Sequence, residues 1–315
     1  MGQFWRRRSP ARTFCASAPL PPPTGALTTR PDRRRRRPPR ALLRAMATAA
    51  APAPVTFATI CGARVPVFAL DAVPAAAAAA ALASRPFAEW AAGVDARFSV
   101  ASLTLQSVDF FGPRVGFVKF VADATFLGAR VPGVVFLRGG AVAVLPLLWC
   151  EGAAWVVCAR QPRLAVGAHF LELPAGMLDD GGSFVGVAAK ELAEETGIVI
   201  APDELVDLTE LAWGAAAGAR APAGAARGLY PSVGACDEFL RLLFFERDVD
   251  AAYLDALRGK LAGCAAEGEQ ITLELVRYAD LWRATPDAKT LAAAALLERL
   301  VAAGELALKG GRRLA

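Results

Sequence analysis

The sequence predicts an α+β fold, and three observations carry that prediction. From residue 55 to residue 163 the chain is a run of β-rich segments separated by Gly, Pro and Arg. A single amphipathic helical stretch, "SFVGVAAKELAEETG", follows, and then come further strands and a closing helix, "DAKTLAAAALLERLVAAG". Strands and helices that come in runs, rather than in strict alternation, favour α+β over a parallel doubly wound sheet. No Rossmann or P-loop pattern interrupts them.

Residues 1–54 stand apart. They hold twelve arginines and one acid, Asp32, about +11 in all, which leaves about −6 on the rest of a chain whose formal charge is +5. The basic character therefore belongs to the leader. Rich in Arg, Pro and Ala, it has too few large apolar side chains to offset the entropy of ordering, and it is expected to be disordered. Acid-poor, hydroxylated and without an apolar run after its first basic residues, it fits an organellar transit peptide, to a chloroplast (plastid) or a mitochondrion, better than a secretory signal. Two other readings stand beside this one. Translation from Met46 would leave a cytosolic protein, and the five arginines at 33–37 would attract phosphate nonspecifically. Without interleaved aromatics they predict no specific nucleic-acid partner.

In the body, "PVTFATICGARVPVFAL" gives one or two strands and "PAAAAAAALASRPFAEWAAG" an alanine-rich helix interrupted at Pro86. "FSVASLTLQSVDFF", "RVGFVKFVADATFL" and "VPGVVFLRGGAVAVLPLLW" follow as β-rich segments, and "AAWVVCARQPR" adds a strand through the "CEG" turn. These patterns divide the chain into the leader, an N-terminal β-rich subdomain with an Ala-rich helix at 55–135, a main domain at 136–304 and a tail at 305–315. "AWGAAAGARAPAGAARG" reads as a low-complexity loop, long for a connection and mobile. The longest apolar run, "GGAVAVLPLLWC", contains Pro146 and is too short to cross a bilayer, so no membrane partner is expected. Six cysteines show no CxxC pair or finger spacing, and the single histidine, His169, has no Ser/His/Asp arrangement around it. Zinc and disulfide frameworks are not expected.

The chemistry concentrates in "ELPAGMLDDGGSFVGVAAKELAEETGIVI". Ser183 can cap a helix that Gly197 ends. At 100° per residue Glu191, Glu194 and Glu195 fall within an arc of about 100°, with Val185, Ala189 and Leu192 opposite. Two carboxylates about 4 Å apart repel by roughly 4 kcal/mol at an effective dielectric near 20. A magnesium ion, which takes a few carboxylates, several waters and phosphate oxygens, would compensate them. Taken alone, "ELAEE" reads more readily as a solvated acidic face, ordinary on surface helices.

This stretch resembles the Nudix box, GX5EX7REUXEEXGU with U a bulky aliphatic residue. Gly176, Glu191, Leu192, Glu194, Glu195, Gly197 and Ile198 match it at the right spacing. "ELPAG" upstream and "YPSVGACDE" downstream look like the ADP-ribose and ADP-sugar pyrophosphatase branch. "VDFFGPRVGFVKF", "VPGVVFLRGGAVAVL" and "YADLWRATPDAKT" resemble its plant plastid ADP-sugar diphosphatases. The resemblance spans roughly residues 100 to 304.

It implies a Nudix fold, a mixed β-sheet sandwiched between helices, here with an N-terminal β-rich extension. It implies that Glu191, Glu194, Glu195 and the backbone carbonyl of Ala175 hold Mg2+, with Mn2+ as a substitute, and that Glu191 belongs to the catalytic groups. The resemblance places the general base in a later loop, at Glu267 of "EGEQI", with Glu269 as a metal-side or supporting carboxylate. Arg138 of "FLRGG" and Arg163 of "RQPR" match substrate-facing arginines, and Glu238 the sugar or terminal-ribose side. Plainer readings remain, because "AAEGEQ" is also an exposed loop and either arginine also a surface ion-pair partner. Gly182 replaces the first box glutamate, with Asp179 and Asp180 just upstream. Lys190 replaces the box arginine and loses its planar fork. Both departures predict a slower enzyme, not an inactive one.

The implied activity is Mg2+-dependent hydrolysis of the diphosphate bond of ADP-sugars, ADP-glucose or ADP-ribose, to AMP and a sugar phosphate. The implied assembly is a homodimer exchanging N-terminal strands. Rival readings are hydrolysis of UDP-sugars or other nucleoside diphosphate derivatives, and a nucleotide-sugar binder on a catalytically weak scaffold.

Overall fold

The structure, a computed structural model, describes residues 53–178, 183–214, 228–263 and 268–314. The leader up to residue 52, Asp179, Asp180, Gly182, the stretch 215–227 of the low-complexity loop and Glu267 lie outside the described residues.

The described chain forms two mixed sheets with helices against them. The first sheet contains β1 (Thr56–Ile60), β2 (Ala63–Ala69), β3 (Phe98–Phe111), β4 (Arg114–Phe126) and β5 (Ala129–Arg130) in that order, with β6 (Val134–Leu137) also on β4. Only β2 and β3 run parallel. Three of the hairpins, at Cys61–Gly62, Leu127–Gly128 and Glu151–Gly152, have positive φ at both central residues. That is the type I′ geometry whose twist matches paired strands. The "CEG" turn is one of them.

The alanine-rich stretch makes two helices, α1 (Ala75–Ala83) and α2 (Arg85–Gly93). The break falls at Ser84, whose hydroxyl accepts from the Phe87 N–H at 3.4 Å, and Pro86 sits in the first turn of α2. Proline lacks the N–H that goes unused there, so it starts the second helix instead of interrupting one long helix. Ala78, Ala81 and Phe87 pack on Leu103, Leu105, Val118 and Phe120 of the sheet.

The second sheet is built around β7 (Gly140–Cys150), flanked by β8 (Ala153–Arg163) and, in parallel, β12 (Phe239–Asp248). β14 (Ile271–Arg277) extends it beyond β8, the two-residue β11 (Val206–Asp207) and β13 (Leu261–Ala262) lie at its edges, and the short β9 (Ala168–Glu172) and β10 (Ala175–Met177) pair with β8 and β7. α4 (Leu208–Trp213), α5 (Ala251–Leu257) and α6 (Leu281–Ala284) are short helices between these strands and the closing helix. Burial on both sides explains why β7 reads as a continuous apolar run. Ala141, Ala143, Leu145, Leu147 and Trp149 face a core closed by Ala293, Leu297 and Leu300 of α7 (Ala288–Ala303). Val142, Val144 and Leu148 face one closed by Val187, Ala188 and Leu192 of α3 (Phe184–Thr196). This is an α+β arrangement with a mixed sheet sandwiched between helices.

The α3 boundaries follow the sequence signals. Ser183 Oγ accepts from the Gly186 N–H at 3.0 Å, and Gly197 takes φ 76° after the last turn. The buried face is rotated from the expected one. Val187, Ala188, Leu192 and Glu195 are buried, while Val185 and Ala189 are half-buried.

Candidate active site

β10 carries Ala175 and Gly176 alongside α3. Pairing with Ala143 and Val142 fixes its position on β7. The Ala175 N–H donates to Glu195 Oε2 at 3.0 Å, and Glu195 is only 2% exposed. A Cβ on Gly176 would lie 2.0 Å from the carboxyl carbon of Glu191. Only glycine admits that approach, so Glu191 and Glu195 both converge on the 175–176 backbone.

Burial pushes the Glu195 carboxyl up to about 8. The negative charges of Glu269, Glu191 and Glu172 add to that, against the Ala175 N–H, which favours the ionised form. A carboxylate so placed is stabilised by a cation. Among the described residues no three His, Cys, Asp or Glu side chains gather as a metal-holding group. The donors placed here are two glutamate carboxylates, both hard oxygens. They fit an ion that takes few protein ligands and completes its shell with water and phosphate.

Two arginines border this region. Arg163, at the end of β8, donates through Nε to Glu172 Oε1 at 2.6 Å, and the charges of Glu195 and Glu269 also act on it. Glu172, 4% exposed at the end of β9, is also bonded by Lys289 Nζ. Arg138 lies in the two-residue link between β6 and β7 and pairs with Glu238 at 3.2 Å. Asp237 Oδ1 accepts the N–H groups of Arg138 and Gly139 at 2.7 and 3.1 Å, which fastens the "YPSVGACDE" segment to "FLRGG". Burial raises the Asp237 carboxyl despite those bonds.

The sequence matches the NUDIX domain family over residues 137–296. The chain belongs to the Nudix hydrolase family. It is 41% identical over 207 residues to Nudix hydrolase 14, chloroplastic, of Arabidopsis thaliana, across 65% of this chain and 64% of that protein. An uncharacterised Nudix hydrolase of Schizosaccharomyces pombe is 41% identical over 59 residues, 19% of this chain and 29% of that one. The chain thus spans less than two thirds of the length of these curated relatives. Among solved structures, a crystal structure of an ADP compounds hydrolase aligns with TM-score 0.45 and 16% identity over 67% of this chain and 97% of that one.

At the Nudix box, the structure brings Glu191 and Glu195 onto Gly176 and the preceding Ala175, with Glu269 and Arg163 close enough to act on Glu195 or its neighbours. Glu194 is placed differently. Its side chain is 47% exposed and lies 3.6 Å from Lys190, the residue that replaces the box arginine. Arg138 and Glu238 pair with each other at the far end of β10 from Glu195. Sequence reasoning assigned no role to Lys289 or Asp237. The "DAKT" and "ACDE" stretches that hold them were read for helix and motif, and only the tertiary contacts reveal what they touch.

Proposed function

We propose that this Nudix family member hydrolyses the diphosphate bond of ADP-sugars, such as ADP-glucose and ADP-ribose, to AMP and a sugar phosphate with Mg2+. The observation that carries the reading is a buried Glu195 and an adjoining Glu191 converging on the Ala175–Gly176 backbone beside an arginine. Glu191, Glu195 and the Ala175 carbonyl would hold the ion, with Glu194 and Glu269 as further carboxylates. When bound, the ion neutralises diphosphate charge and eases deprotonation of the attacking water. Arg163 pairs with a phosphate oxygen, and a guanidinium suits that task because its donors are planar and permanently charged. Glu267 takes the proton of the attacking water, and Arg138 with Glu238 binds the remote part of the substrate.

In this reading residues 55–135 form the N-terminal subdomain, 136–304 the catalytic domain, and the chain is a homodimer. The Arabidopsis relative is named chloroplastic, which supports plastid targeting by residues 1–54. Incubation of the full chain with Mg2+ and a panel of ADP- and UDP-sugars tests the proposal. AMP and sugar phosphate from ADP-sugars are expected, with loss of release in Glu195→Gln. No product from any nucleoside diphosphate sugar would end the reading, and preferential cleavage of UDP-sugars would transfer it to that class.

A further inference from the structure

The candidate arginine Arg163 is held in a way that its partner alone does not explain. A carboxylate and a guanidinium favour two parallel bonds. Glu172, however, is bonded to Arg163 through one oxygen, Oε1 to Nε at 2.6 Å. Its other oxygen, Oε2, belongs to Lys289 Nζ. The Arg163 side chain is 43% exposed, whereas the side chains of Glu172 and Lys289 are 5% and 12% exposed. The arginine therefore meets solvent on one side and a shared, buried carboxylate on the other.

Lys289 is itself fixed. Its Nζ also donates to Asp287 Oδ1 at 3.1 Å. Asp287 caps α7, with Oδ2 accepting from the Thr290 N–H at 3.1 Å and its hydroxyl at 2.6 Å. Thr285 Oγ1 donates to the Leu171 carbonyl at 2.5 Å and accepts the Asp287 N–H at 3.1 Å. The segment "TPDAKT" thus clamps the start of α7 onto the end of β9, three residues before Ala175. A lysine in the first turn of a helix opposes the helix dipole, so its location there is not explained by helix stability.

We infer that Lys289 is a positioning residue for substrate. By holding Glu172 Oε2 it limits Glu172 to a one-point contact with Arg163, and the remaining edge of that guanidinium is left for a phosphate of a nucleoside diphosphate derivative. The inference rests on the assignment of Arg163 to diphosphate binding. In Lys289→Met the freed Oε2 closes on Arg163, and the arginine is withdrawn from the substrate.

Steady-state kinetics on the full chain, with ADP-glucose and saturating Mg2+, test this. Lys289→Met is expected to raise KM about tenfold, the equivalent of one charge-assisted hydrogen bond, with a much smaller change in kcat. Lys289→Arg should stay close to wild type. Adding Glu172→Gln to Lys289→Met should lower KM again, because a neutral amide no longer captures the guanidinium. In an Arg163→Ala background, Lys289→Met should leave KM unchanged. Melting temperatures accompany each variant, and Lys289→Gln replaces Lys289→Met if the latter does not fold. An active wild type with an unaltered KM in the lysine variant, or with no recovery in the double variant, overturns the inference. A wild type inactive on every nucleoside diphosphate sugar overturns the proposed function instead.

Discussion

Glu195 combines 2% exposure with three neighbouring carboxylates, and its stability consequence has a definite sign. Its carboxyl is raised from 4.5 to about 8, so the metal-free fold favours the protonated form. The associated stability is fully present below about pH 4.5 and is lost as pH rises through about 8. Thermal melts without divalent ions should show a Tm that declines between pH 5 and 8. Glu195→Gln should flatten that decline, and Mg2+ should oppose it in the wild type by binding the ionised form. At Gly176 the added methyl of Gly176→Ala would displace the flexible Glu191 side chain rather than the backbone. Circular dichroism should therefore remain native while Mn2+ affinity, read by titration calorimetry, falls about tenfold or more, as it does when support of a metal ligand is lost.

The box helix α3 shows which features of an element are local. Ser183 and Gly197 mark its ends because capping depends on residues within one turn, and both were legible in the sequence. Ser183→Ala should cost about 1 kcal/mol in denaturant titration. The buried face was less legible. A helical wheel puts the glutamates outward, but β10 covers Glu195, and that cover is a tertiary contact made 20 residues away. The Glu172–Lys289 bond joins residues 117 apart and leaves no periodic trace at all. Lys190 pairs with Glu194 across one exposed turn, an interaction worth a few tenths of a kcal/mol. Lys190→Arg should accordingly leave the melting temperature almost unchanged and alter turnover only modestly.

Across the molecule, α3 and α7 pack on opposite faces of one sheet, and β7 supplies side chains to both cores. Leu192→Ala and Leu297→Ala should each cost about 2–5 kcal/mol in urea titration. Because the two faces share a strand, each variant should still unfold in a single transition, with fluorescence and far-UV signals coincident. The run of β-rich segments, followed by one amphipathic helix, further strands and a closing helix, made the α+β class readable, whereas the way β10 joins β7 was not, since three residues carry too little pattern. β7 is paired along both edges and shielded above and below, so its amides should be among the slowest in the protein to exchange with deuterium. Ala175 and Gly176 are fastened to that strand. A chelator that strips the ion should therefore leave the cradle standing, and activity should return as fast as metal is restored, with no refolding phase.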